Sequence, residues 1–184
     1  YYPGSERNFK YPGELEPTNP KELKNELIKR LSTPVSDATG LPDRAYSGER
    51  ASKYALRYML SPNEEFYRVI DWFGNCQNFV SQAVWYGLFC EMDENEWFAG
   101  IGGGTLAWEN VDYFWDWAVV RDGLDGEAVE HVLALRRGDI LQLRTHGMGE
   151  PDDFSHVIIL TDESTLTFAQ NSPPCLVNFS DLVN

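Results

Sequence analysis

Basic residues are scarce in this chain. It carries 15 Lys and Arg against 29 Asp and Glu, a formal net charge of -14, and no cluster of Lys or Arg interleaved with aromatics. Such a surface repels a phosphate backbone, which excludes nucleic acid as a partner. Long apolar runs are also missing, so no segment reaches the roughly 20 residues a membrane-spanning helix requires. The chain opens on Tyr1 without the basic and apolar stretches of an export signal, and reads as processed or trimmed. Metal-ligating residues are few: three Cys and three His, with no HExxH and no CxxC, point to no metal. No GxSxG marks a serine nucleophile, and IGGGT is not the GxGxxG of a dinucleotide loop, so no cofactor is expected. Three Cys is an odd number, which leaves at least one thiol unpaired within the chain.

What is present is a core. Hydrophobic residues make up 42% of 184 residues and aromatics 14%, with six Trp, enough for one ordinary globular domain. Residues 1–47 read as an N-terminal extension whose one helix, PKELKNELIKRL from Pro20, repeats Leu23, Leu27 and Leu31 at i+4 spacing. Residues 48–184 form the domain proper. There ERASKYALRYML turns Ala51, Tyr54, Ala55 and Tyr58 to one helical face, and CQNFVSQAVWYG does the same with Phe79, Val80, Ala83 and Val84 before a capping Gly87. IGGGT predicts a flexible turn, and WENVDYFWDWAVV a helix with Trp108, Val111 and Phe114 or Trp115 turned inward. The last third changes period: ILQLR, HVIIL and TLTFAQ are short, β-branched or alternating, and separated by turn signals such as Arg137-Gly138-Asp139. Helices first and strands later predict an α+β fold with a helix packed on a C-terminal antiparallel sheet.

Cys76 opens a helix rather than lying in its apolar stripe. A thiol with an ordinary pKa near 8.5 needs help to become the nucleophilic thiolate, and first-turn N–H groups with the macrodipole supply some of it. The same N–H groups can stabilise the oxygen of a tetrahedral intermediate. A histidine completes such a site as proton acceptor and donor. His131 lies in the amphipathic EHVLAL and His146 in the Gly-rich THGMGEP, whereas His156 begins the strand HVIIL, where its ring projects from a sheet end. The following turn and strand return the chain to Asn171, whose amide can fix the tautomer of the ring; it is equally placed to be a turn residue before Pro173, with Gln170 the next candidate. These assignments predict that Cys76 reacts with an alkylating agent near pH 6–7 before Cys90 or Cys175. They also predict that Asn171→Ala folds normally and keeps some turnover.

The segment GNCQNFVSQAVWYG resembles the DCTNFVSQ-type nucleophile motif of the bacterial putative amidase domain family, a branch of the papain-like, CHAP-type cysteine hydrolases. RRGDILQL and DFSHVIILT follow in the order of that family, and the resemblance runs from about Gly48 to the C-terminus. It implies a papain-like fold and amide hydrolysis, with Cys76 as nucleophile and His156 as general base. Relatives carry His where this chain offers Asn171, and Asn75 and Gln77 replace the usual acidic residue and Thr around the cysteine. The implied substrate is a peptide or other amide, with bacterial cell-wall peptides the usual case, and the implied location is secreted or in the envelope. Two alternatives use the same residues or fold: acyl transfer to an amine, and a non-catalytic peptide- or wall-binding module with the stretch Trp108 to Trp117 as its contact surface.

Overall fold

The computed structural model describes residues 46–61, 63, 75–100, 103–124, 126–144 and 154–183. The helix expected from Pro20, residues 71–74 of the loop before Cys76, and His146 lie outside them.

Helix α1 (Gly48–Tyr58) starts where the Ser47 hydroxyl accepts the N–H of Arg50 at 3.4 Å, with Glu49 in its first turn and Arg57 in its last, each charge opposing the nearer end of the macrodipole. Its buried face, Ala51, Ser52, Tyr54 and Ala55, packs on helix α2 (Asn75–Gly87). The start of α1 touches the turn that leads into the sheet, where Gly138 has φ +89°. A Cβ on Gly48 would stand 1.8 Å from the Arg137 carbonyl oxygen, and one on Gly138 would stand 2.2 Å from the Gly48 Cα, so neither position has room for a side chain. Tyr46 donates its buried hydroxyl to the Gly138 carbonyl across the same contact.

The aromatic middle is not one helix. In a small ladder, strand β1 (Ala99–Gly100) pairs antiparallel with β2 (Gly103–Gly104), which comes from IGGGT; Ile101 and Gly102, where a turn is expected, lie outside the described residues. Helix α3 (Leu106–Glu109) then stops at Asn110, whose side-chain oxygen accepts the N–H groups of Asp112 and Tyr113 and so starts helix α4 (Val111–Trp115). A π-helical turn (Asp116–Val120) follows. The restart lets Trp108, Val111, Phe114 and Trp117 all reach the core, where Trp97 stacks on Trp117 at 4.7 Å between centroids and lies 4.6 Å from Trp108.

The sheet is an antiparallel meander in the order β3 (Ile140–Leu143), β4 (His156–Asp162), β5 (Thr167–Asn171), β6 (Pro174–Asn178). Val157, Ile159 and Ala169 face the two helices and the tryptophan core. Ile158, Leu160 and Phe168 point the other way into a second cluster with Val132, Leu133, Leu135 and Phe179, contributed by a short 3-10 turn (Val132–Ala134) and helix α5 (Phe179–Leu182). Cover on both faces explains why HVIIL is apolar throughout instead of alternating. Burying each of its four aliphatic side chains contributes about 1.5–3 kcal/mol. Strand β6 escaped the sequence reading because it is an edge strand with an exposed, Pro-led pattern; Pro174 takes its first position, where no ladder N–H is needed.

Candidate active site

Cys76 is the second residue of α2 and only 5% exposed. The helix carries it to the point where the β4–β5 pairing, which runs from Ile159 opposite Ala169 to Asp162 opposite Thr167, has ended short of Val157. The N–H of Val157 turns instead to the Cys76 sulfur, joined there by the N–H groups of Gln77 and of Cys76 itself. Burial pushes the thiol above its ordinary value, and these three donors offset only part of the rise. The sulfur is therefore a neutral thiol at pH 7. Burial therefore works against the reactivity expected near pH 6–7, and the helix start works for it.

His156 stands next to Val157 at the head of β4, and its Nε2 lies 2.9 Å from Gln170 Oε1. No hydrogen bond joins the ring to the thiol. The turn into β4 is tied to α4: the N–H of Phe154 donates to Asp112 Oδ1 at 3.2 Å, and the Phe154 ring lies 6.2 Å from that of Trp115. Gln170 in turn donates its Nε2 to the Cys175 sulfur at 3.0 Å, across the β5–β6 pair in which the two residues are directly opposed.

Asn171 does not reach the ring, so the structure contains no Cys–His–Asn arrangement. Neighbours on a strand project to opposite faces, and Gln170 shares the face of Phe168 while Asn171 shares that of Ala169, toward α2. There Asn171 accepts from Asn75 Nδ2 and donates to the Met59 carbonyl at 3.0 Å. It ends a chain of side chains that each donate to the next. Asn63 donates to Tyr54 (2.8 Å), Tyr54 to Gln82 (2.9 Å), Gln82 to Asn78 (3.2 Å), Asn78 to Asn75 (2.8 Å), and Asn75 to Asn171. Trp108 Nε1 also donates to Asn78 Oδ1, at 2.8 Å. This chain satisfies Asn75, Asn78 and Gln82 of α2, though not the buried Gln77 Oε1, and ties the helix to both α1 and β5. Parity along an assumed β4–β5 hairpin was the signal that could have separated Gln170 from Asn171. His131 caps the 3-10 turn, its Nδ1 accepting the N–H of Leu133 at 3.1 Å.

All three cysteines are free, with Cys90 exposed and Cys175 half-buried. Among the described residues no group of three or more His, Cys, Asp or Glu side chains is arranged to hold a metal ion, and no helix is long and apolar enough to cross a membrane.

Fold and site define an α+β domain that holds a buried cysteine at a helix start, against the strand that presents a histidine. The chain belongs to the family described as "Putative amidase domain", whose model matches residues 45–178. Membership implies a hydrolase of amidase type. The chain is also 27% identical over 165 residues to the uncharacterized protein YjcM of Bacillus subtilis (strain 168), a match covering 79% of this chain and 38% of that relative. No solved structure matches.

Proposed function

We propose that this protein is a cysteine-dependent hydrolase of amide bonds, with Cys76 as nucleophile, His156 as general base and Gln170, in place of Asn171, orienting the ring. The observation that carries the reading is the place of Cys76 in the first turn of α2, beside Val157 at the head of the strand that carries His156. Because the thiol is neutral, the step is proton removal on attack: the His156 ring, which by strand parity lies on the Gln170 side of β4, turns at the head of the strand to the sulfur and takes its proton as the S–C bond forms, and the carbonyl oxygen gathers negative charge. The N–H groups of the first turn stabilise that oxygen. The imidazolium then protonates the departing amine, and water hydrolyses the thioester. With Nε2–H set on Gln170 Oε1 in the resting site, Nδ1 carries the lone pair that accepts the proton. The packing of α2 on an antiparallel sheet fits a papain-like arrangement. Bacterial cell-wall peptides as substrate, and a secreted or envelope location, follow from the resemblance of the nucleophile motif.

One observation favours a second reading, a non-catalytic module that binds a peptide or the wall: Cys76 is buried, as a packing cysteine is. In the aromatic stretch Trp108 and Trp117 are at most 2% exposed, which leaves half-buried Tyr113 and Trp115 as its contact residues. Digestion of peptidoglycan and small amides by wild-type and Cys76→Ala protein, with products read by mass, decides between the two. Products from wild type alone support the enzyme. Absence of products together with equal retention of both proteins on peptidoglycan supports the binder.

A further inference from the structure

We propose that Cys175 is a positioning residue for His156, acting through the side-chain amide of Gln170; the inference deepens the catalytic reading and rests on it. An amide is nearly symmetric in shape, so a glutamine beside an imidazole can offer either its oxygen or its NH2 group, and the two choices place the ring proton on different nitrogens. The group at the other end of the amide decides. At Gln170 that group is the Cys175 sulfur, 3.0 Å from Nε2. The thiol is itself directed, because its hydrogen points to the Pro173 carbonyl with the sulfur 3.6 Å from that oxygen, leaving sulfur lone pairs for the amide. The strand register places Gln170 and Cys175 directly opposite each other, so backbone pairing holds the two together.

The result is a one-way sequence of donors. His156 Nε2–H donates to Gln170 Oε1, the Gln170 amide donates to Cys175, and Cys175 donates to the backbone. In that sense of direction His156 keeps its proton on Nε2 and has a lone pair on Nδ1, the tautomer a base needs. Removing the sulfur leaves the amide NH2 without its acceptor and frees Gln170 to turn over. Its NH2 would then face the ring, favouring the Nδ1–H tautomer, which cannot accept the thiol proton.

The test is the tautomer of His156, read from two-bond proton–nitrogen correlations of 15N-labelled protein at a pH where the histidines are neutral. The chain has three histidines, and the spectrum of His156→Ala identifies the signal. His131, whose Nδ1 is held as an acceptor by Leu133, is the internal reference. Wild type and Cys175→Ser, whose hydroxyl both accepts and donates, should show the Nε2–H pattern. Cys175→Ala should move His156 toward the Nδ1–H pattern with His131 unchanged, and Cys175→Val, which fills the strand position without an acceptor, should do the same if the alanine variant folds poorly. On an amide that wild type cleaves, kcat should fall roughly ten- to a hundredfold in Cys175→Ala at constant KM and return in Cys175→Ser. Unchanged His156 signals in folded Cys175→Ala or Cys175→Val would overturn the proposal. A shifted tautomer in a protein that cleaves nothing would uphold the positioning role while the hydrolase reading failed.

Discussion

Asn171→Ala offers the sharpest test of how the site is held. In the structure the Asn171 amide accepts from Asn75 in the first turn of α2 and donates to the Met59 carbonyl at the end of α1, and the residue is only 9% exposed. Alanine strands one buried donor and one buried acceptor, and at about 1–3 kcal/mol for each group left unsatisfied, with some relief from water entry, the loss is about 2–4 kcal/mol. For a domain of this size that lowers the thermal midpoint by roughly 4–16 °C. Urea titration and thermal melting followed by circular dichroism measure both. Asn171→Asp sharpens the test, because its carboxylate still accepts from Asn75 but meets the Met59 carbonyl with an oxygen instead of a donor. It should be less stable than wild type at pH 7 and recover in acid, where a protonated carboxyl can donate. Gln170→Ala, one residue away and also buried between two partners, should lower the midpoint as well but, unlike Asn171→Ala, remove turnover. An Asn171→Ala protein within about 0.5 kcal/mol of wild type, the range of an ordinary surface substitution, would refute the reasoning.

Three further outcomes follow from burial and close approach. In the folded protein iodoacetamide at pH 7 should label exposed Cys90 first and buried Cys76 last, with equal labelling once the chain is unfolded; peptide mapping shows the order. Asp139 is a carboxyl whose pKa burial raises above its ordinary 3.8, against the pull of the Arg136 N–H and with a smaller push from Glu163. The fold therefore favours its protonated form, so its penalty is absent in acid and develops as pH rises past the ordinary value. Asp139→Asn, which keeps the acceptor for Arg136, should be more stable than wild type near pH 7, and urea titrations should show the difference vanish in acid. Gly48→Ala drives a Cβ into the Arg137 carbonyl, and should give insoluble protein or a midpoint lowered by more than Asn171→Ala, read by the same melts.

Helices α1 and α2 and three of the four main strands were legible because each repeats a period that its burial demands. Ala51, Tyr54 and Ala55 are buried as the spacing in ERASKYALRYML requires, and Cys76 does open a helix. Failures came where tertiary contacts override local pattern. Asn110 interrupts the aromatic segment because its side chain can cap a new helix, an option no periodicity reports. The upward push of burial on Cys76 depends on how deeply α2 sinks against β4, which is a property of packing. That Gln170 and not Asn171 meets the His156 ring turns on strand parity, a single-residue matter that a stretch such as TFAQNSPP leaves open until the register is known.

The donor chain from Asn63 to Met59 has a consequence for how this protein can vary. Every link points the same way, so no member can be reversed alone: a side chain that only accepts, or only donates, at Asn75, Asn78 or Gln82 leaves a mismatched neighbour on one side. Substitutions along it should be strongly non-additive in double-mutant cycles, the second costing less than the first because the continuity is already broken. These positions thus behave as one inherited part, and change in it has to come as coordinated replacement across two helices and a strand.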